Sequence, residues 1–261
     1  ATAKVVASGA IPVALTDCLC FGNPEKPEQM WQFAESCRAI RDCCDGLHFE
    51  KNTNLPIVAG NVSFYNQSGD NAIPSSPMIG CFGKNIDVNK SIQNSFQSEG
   101  SVVFLLGGSN FSMGGSVVAD LLAIDNNDVH RFSNKQFSML LNSLIGLESR
   151  ELILSSRVVT RGGLAVSLCK MSFQNNIGVN VHLAKEKLSE RLFNENLSIL
   201  LEVHDADTRN VEKILEKKDI PFDIIGSTCI EKTITINDKI SLSINETKNV
   251  WEHSLREKLL S

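Results

Sequence analysis

The stretch T-D-C-L-C-F-G-N-P-E-K-P-E, Thr16 to Glu28, joins a short apolar run at Val13 to Thr16 to the start of a helix. Pro27 suits the first helical turn, and Glu25 and Glu28 favour its positive end. Met30, Phe33, Cys37, Ile40 and Cys44 then recur at helical spacing, which predicts a core stripe with Trp31 packed at its edge. Ile57 to Ala59, Pro77 to Gly80 and Ser101 to Leu106 are further apolar runs ended by Gly, Asp or Pro, the pattern of covered strands. Strands alternating with helices predict an α/β (α+β) fold, with mixed sheets covered by helices.

The second half reads the same way. D-N-N-D, Asp125 to Asp128, concentrates polar turn formers and predicts a domain boundary. A helix is expected over Lys135 to Leu147, and another opens at Arg161-Gly-Gly163 and runs through Met171. Ile177, Val179, Val181 and Leu183 alternate as a half-buried strand, and Leu197 to Val203 forms the next. Asp207 to Lys217 is an amphipathic helix carrying Val211, Ile214 and Leu215. Strands follow at Phe222 to Ile225, Cys229 to Ile236 and Lys239 to Ile244, the last two joined at Asn237-Asp238. Trp251, Leu255 and Leu259 are the apolar stripe of a closing helix.

Composition removes whole classes of function. At 261 residues, 42% hydrophobic and 21% charged, the chain can bury a large core. A net charge of −5 and a single tyrosine, Tyr65, argue against nucleic acid, which needs clustered Lys and Arg and stacking platforms. No eighteen apolar residues run together, so no membrane span is expected. The eight cysteines are scattered through predicted strands and helices, as in reduced cytosolic proteins. Cys18-x-Cys20 and Cys43-Cys44 lack the partners of a zinc site and read as small buried hydrophobes. The histidines, His48, His130, His182, His204 and His253, have no partner nucleophile at recognisable spacing.

The chemistry concentrates in Asp17 and in A-G-N-V-S-F-Y-N, Ala59 to Asn66. A carboxylate at a strand end, an amide oxygen, a hydroxyl and a glycine with open N–H groups suit a magnesium-bound nucleotide. The bland readings are a strand-end turn at Asp17 and an Asx-turn at Gly60 to Ser63. Gly107-Gly108 and Gly114-Gly115-Ser116 are looser phosphate-loop candidates that read more readily as plain turns.

These strings closely resemble the second half of the phosphoribosylformylglycinamidine synthase family, which reads T-D-(C/N)-L-N-F-G-N-P-E-K-P-E and then G-N-V-S-x-Y-N. Cys20 replaces the usual Asn, and Phe64 fills the variable position. The resemblance continues through Phe104 to Gly107, Met113 to Ser116, Gly162 to Leu164 and Leu192 to Glu195. It implies an ATP-dependent amidine-forming ligase of purine biosynthesis in the cytoplasm, with ATP and Mg2+. Asp17 and Gly60 would then contact ATP, Asn61 magnesium and Ser63 substrate, with Gly114, Gly115 and Ser116 as weaker phosphate candidates. The implied partners are a glutaminase subunit that delivers ammonia, a small bridging subunit and the enzyme's first half, where the family's catalytic histidines lie. No catalytic residue is therefore expected here.

The match begins inside a helix of that second half. It implies a C-terminal portion with an N-terminal-like domain, residues 1–126, truncated at its start, and a complete C-terminal-like domain, residues 127–261. One segment departs: Arg157-Val-Val-Thr-Arg-Gly-Gly-Leu164 stands where the family has H-D-V-S-D-G-G-L. Val158 and Arg161 replace two carboxylates, so an auxiliary nucleotide site is expected to be degenerate. Aminoimidazole ribonucleotide synthetase and a noncatalytic nucleotide-binding scaffold are the rival readings, and P-E-K-P-E with G-N-V-S-x-Y-N argues against the former.

Overall fold

The computed structural model describes residues 1–49, 54–107, 112–124 and 133–260. The chain divides into two compact units, Ala1–Asn89 with Ser133–Asn142, and Lys90–Phe132 with Ser143–Ser261.

In the first unit, α1 (Thr2–Ala7) ends at a turn with Gly9 at φ 82° and leads into β1 (Ile11–Cys20). Helix α2 (Pro27–Gly46) follows, with Pro27 in its first turn as expected. Next come β2 (Ile57–Ser63), the short pair β3 (Gln67–Ser68) and β4 (Asn71–Ala72), and β5 (Ser76–Lys84). The main sheet has the order β2-β1-β5, with β1 parallel to β2 and antiparallel to β5. Its core is Leu15, Cys44 and Leu55, flanked by Ile40, Phe49, Ile79 and Cys81.

Two expectations need correction here. Of the apolar stripe on α2 only Cys44 is buried, and Met30 and Trp31 are 45% and 64% exposed. The strands are not covered on both sides either, because Val58, Val62, Met78 and Phe82 are all exposed. Apolar content fixes that a strand forms but not how many layers cover it.

In the second unit a seven-stranded mixed sheet has the order β12-β11-β8-β10-β6-β9-β7. The strands are β6 (Val102–Leu106), β7 (Ser155–Val158), β8 (Gly178–Val181), β9 (Ile199–Val203), β10 (Phe222–Cys229), β11 (Thr233–Ile236) and β12 (Ile240–Ser243). Helix α3 is Val117–Leu121, and α4, Asn134–Glu148, begins in the first unit and ends in the second. The others are α5 (Gly163–Ser172), α6 (Leu188–Phe193), α7 (Thr208–Lys217) and α8 (Ile244–Leu260). Leu164, Leu168 and Met171 of α5 pack on Val103, Leu105, Val179, Val181, Leu200, Ile225 and Ile234. Burial of this aliphatic layer is what holds the sheet to the helix. Three residues, 237–239, join β11 to β12, with Asn237 and Asp238 in the left-handed region at φ 52° and 55° and Lys239 N donating to Ile236 O at 3.1 Å.

The expected boundary at Asp125 to Asp128 lies outside the described residues. Strand β6, assigned above to a first domain of residues 1–126, nevertheless pairs with β9 and β10 in the second unit's sheet. The boundary is therefore corrected to the junction of Asn89 and Lys90. A polar run is a local signal, whereas the partners of β6 come from about a hundred residues downstream, where only pairing reveals them.

The stripe on α8 is also corrected: Trp251, Leu255 and Leu259 are each more than half exposed. Trp251 carries the Lys170 ammonium 4.0 Å from its ring centroid, which gives its face a cationic partner. Among the described residues no helix is long and apolar enough to cross a membrane.

Candidate functional site

Parallel pairing of β1 with β2 sets the predicted residues side by side, with Asp17 opposite Gly60, Cys18 opposite Asn61 and Cys20 opposite Ser63. These groups lie within strands rather than at a strand end and in a loop, which corrects the sequence reading. The extended run continues through Cys20 and Ser63 because ladder pairing outweighs the weak strand propensity of Asp, Gly and Asn. Among the described residues β2 is an edge strand, so alternate main-chain groups on its outer side have no ladder partner there.

Strand alternation divides the candidates between two faces. Asp17 shares the α2 face with Leu15 and Leu19. There it lines a cleft of about 310 Å³ with Ile57 and with Cys37, Ile40 and Arg41 of α2. A Cβ on Gly60 would run into the Asp17 carboxylate, so only glycine leaves that carboxylate its place. Among the described residues the carboxylate has no hydrogen-bond or ion-pair partner. Arg41 is engaged elsewhere: its Nη2 lies 2.7 Å from Asp42 Oδ1, an ion pair that raises the guanidinium above its ordinary pKa.

Asn61 and Ser63 lie on the opposite face with Cys18 and Cys20. Asn61 is exposed, and its Nδ2 donates to Cys18 Sγ at 3.5 Å. The end of β2 is held firmly. Phe33 of α2 packs edge-on against Phe21 and Phe64, with centroids 5.4 and 4.9 Å apart. The Asn66 amide donates to Phe21 O at 3.0 Å and Ser63 O at 2.9 Å, and the Ser63 hydroxyl donates to Asn66 Oδ1 at 3.2 Å. Gly22 N donates to Gln29 Oε1 at 3.1 Å, fixing the turn into α2. Phe64, a variable position in the sequence pattern, is thus a packing residue of the site.

The glycine candidates of the second unit are differently occupied. Ser116 caps α3, accepting from Ala119 N at 3.2 Å, and Gly114 N donates to Ser112 Oγ at 3.2 Å. Gly115 has φ 72°, as a turn requires. One carboxylate oxygen, Glu195 Oε1, accepts from both Val117 N at 3.0 Å and Gly162 N at 2.8 Å. Sequence reasoning quoted Glu195 only inside L-F-N-E; its signal was an acidic side chain just after a helix, able to reach back to main-chain donors. Gly107 has φ 79°, and Gly108 lies outside the described residues.

In the departed segment, Arg157 Nε donates to Asn94 O at 3.1 Å, and burial holds its guanidinium below the ordinary range. Arg161 is exposed. Gly163 has φ 68°, and a Cβ there would meet the main chain of Leu192 and Phe193.

All eight cysteines are free. Burial pushes the thiols of Cys169 and Cys229 up to about 11 and raises those of Cys43, Cys44 and Cys81. None of these has the depressed pKa of a nucleophilic thiol. The reading of Cys18, Cys20, Cys43 and Cys44 as buried is corrected: of these only Cys44 is buried, and Cys18, Cys20 and Cys43 are half-buried.

Two family models match the chain. AIR synthase related protein, N-terminal domain, covers residues 2–84, and AIR synthase related protein, C-terminal domain, covers residues 98–239. Phosphoribosylformylglycinamidine synthase subunit PurL of Sulfurovum sp. (strain NBC37-1) is 34% identical over 258 residues, spanning 98% of this chain and 34% of that protein. The chain spans about a third of the length of the curated relatives it matches. Among solved structures, T. maritima PurL complexed with FGAR superposes with a TM-score of 0.68 at 14% identity, covering 94% of this chain and 41% of that one. T. maritima PurL complexed with ATP gives 0.66 at 14% identity, over 93% and 39%. At such identities the superpositions bear on fold alone.

Proposed function

This chain belongs to the AIR synthase related protein family, and from that premise we propose that it is part of phosphoribosylformylglycinamidine synthase. The reaction would convert formylglycinamide ribonucleotide, ATP and ammonia to the amidine. Relatives at about a third identity carry that name, and the solved PurL structures that share the fold include complexes with ATP and with FGAR. The observation that carries the reading to this chain is the Asp17 carboxylate, without a partner among the described residues, held against Gly60 and one register step from Asn61.

The residues present fit magnesium and nucleotide. A carboxylate, an exposed amide oxygen and a hydroxyl are hard oxygen donors, and the absence of a Cβ at Gly60 keeps the carboxylate clear. We assign Asp17 and Gly60 to ATP, Asn61 to Mg2+ and Ser63 to the ribonucleotide. When bound, magnesium offsets the negative charge of the transferred phosphoryl group. Asp17 orients the nucleotide side of the site from the α2 face, while Asn61 and Ser63 orient the other from the open face. The Phe21, Phe33 and Phe64 cluster and the Asn66 hydrogen bonds keep the ends of β1 and β2 in register, so these groups are positioned before substrate arrives.

Ammonia would come from a separate glutaminase subunit, joined through a small bridging subunit, and the enzyme's other half would supply the acid-base groups. The setting is the cytoplasm, with neither nucleic acid nor membrane as partner. The test is ATP-dependent amidine formation by the complete protein given ribonucleotide, magnesium and ammonia. Phosphate release without amidine would contradict the assigned reaction.

Gly114, Gly115 and Ser116 are left with turn and capping roles. Their neighbouring donors Val117 N and Gly162 N already meet the Glu195 carboxylate, and Val158 and Arg161 supply no oxygen ligand for a cation. The second unit is therefore expected to bind no nucleotide in a magnesium-dependent way. Calorimetry on the complete protein carrying Asp17→Asn, which weakens the first site, should show no tight magnesium-ADP binding; a tight magnesium-dependent isotherm would contradict the degenerate reading.

A further inference from the structure

The open face of the β2-β1-β5 sheet carries sulfur chemistry that the ligase reaction does not use. Cys18 and Cys20 are two residues apart on β1 and therefore point the same way, with their Sγ atoms 3.8 Å apart. Across the β1–β5 ladder Met78 is paired with Cys18, so its thioether chain rises on that same face, and Met78 is 53% exposed. Directly paired residues stand with Cβ atoms about 4.5–5.5 Å apart, and the flexible methionine chain can turn its sulfur toward a neighbour. Among the described residues no three His, Cys, Asp or Glu side chains converge as a metal cluster, so any ion here would be held by two thiolates and a thioether.

The spacing distinguishes an ion from a bond. A disulfide would have to draw the sulfurs to about 2.05 Å between Cα atoms that an extended strand keeps about 6.7 Å apart, at the long end of what a disulfide tolerates. Two thiolates bound at about 2.3 Å stand about 3.8 Å apart around a tetrahedral ion and about 4.0 Å apart around a trigonal one. The observed 3.8 Å meets that requirement with almost no movement of β1. The donor type chooses the ion. Thiolates with a thioether, and neither imidazole nor carboxylate, suit a soft monovalent d10 cation rather than magnesium or zinc.

We propose that Cys18, Cys20 and Met78 form a binding site for one copper(I) ion, with both thiols giving up their protons as the metal–sulfur bonds form. The site adjoins Asn61, whose amide already donates to Cys18 Sγ.

The test is anaerobic competition between the reduced full chain and a chromophoric copper(I) chelator. The wild type is expected to withdraw a single equivalent, with an absorption-edge spectrum showing sulfur neighbours only. Cys18→Ser and Cys20→Ser should each weaken binding by about a hundred-fold and Met78→Leu by about ten-fold, while Cys43→Ser, away from the open face, leaves it unchanged. Cys20→Asn serves as a second variant should the serine forms fail to fold, and it should weaken binding like Cys20→Ser. Retention of the full equivalent by a folded Cys20 variant would overturn the proposal, as would wild-type protein that cannot compete with the chelator. Zinc displacing copper(I) at equal concentration would overturn the choice of ion.

Discussion

The purified chain, supplied with formylglycinamide ribonucleotide, ATP, magnesium and ammonia, is expected to form no detectable amidine. Asp17, Gly60, Asn61 and Ser63 are assigned to holding charge and positioning phosphate, and the resemblance assigns the proton transfer that displacement of phosphate by ammonia requires to the enzyme's first half. The one described histidine near them in sequence, His48, pairs through its backbone with Asn54, and Asn142 Nδ2 donates to its carbonyl at 3.0 Å. The thiols given above, raised by burial, offer no substitute. The curated relatives are about three times as long as this chain, and the resemblance puts the histidines that do the proton work in their first half. The measurement is amidine formation alongside phosphate release, first with the chain alone and then with the remaining portion of the enzyme added. Turnover by the chain alone that survives repeated purification would contradict the account; restoration by the added portion is the expected outcome.

In the complete protein, Asp17→Asn is expected to lower kcat/KM by about a hundred-fold, or about 3 kcal/mol of transition-state stabilisation, the scale on which single preorganised electrostatic groups act. The substitution keeps shape and removes one negative charge. Because the carboxylate has no partner among the described residues, no internal ion pair is broken and the fold should be unaffected. Gly60→Ala should act in the same direction by a different route, since its new Cβ displaces the carboxylate from its place. Steady-state kinetics with ATP varied, together with a thermal melt of each variant, separate the two causes. Unchanged kcat/KM in Asp17→Asn would remove Asp17 from the site.

Much of this was legible in the sequence because the signals are local. Pro27 at the head of α2, the alternation of Val179 and Val181, the Asn237-Asp238 turn and the amphipathic α7 each follow from neighbours within a few residues. What was hidden is non-local. The parallel register that sets Asp17 against Gly60, and splits them by face from Asn61 and Ser63, is a pairing choice between segments some forty residues apart. Strand β6 joined the second sheet for the same reason, despite a strongly polar run downstream of it. The exposure of Met78, Phe82 and Trp251 was hidden too, because hydrophobic periodicity marks a face without naming what covers it. Glu195 escaped notice because a half-buried acceptor for two main-chain donors has no motif beyond the position of one acid.

The central claim is that nucleotide binds where β1 and β2 run side by side in the first unit. A crystal structure of the complete protein with magnesium and a non-hydrolysable ATP analogue tests it most directly. The account predicts a magnesium ion coordinated through Asn61 Oδ1 and phosphate oxygens beside Gly60 and Asp17, with the Glu195 carboxylate still on Val117 N and Gly162 N. Nucleotide seated instead at the Gly114 to Ser116 turn, with Glu195 displaced and Asp17 and Asn61 free of ligand, would contradict it.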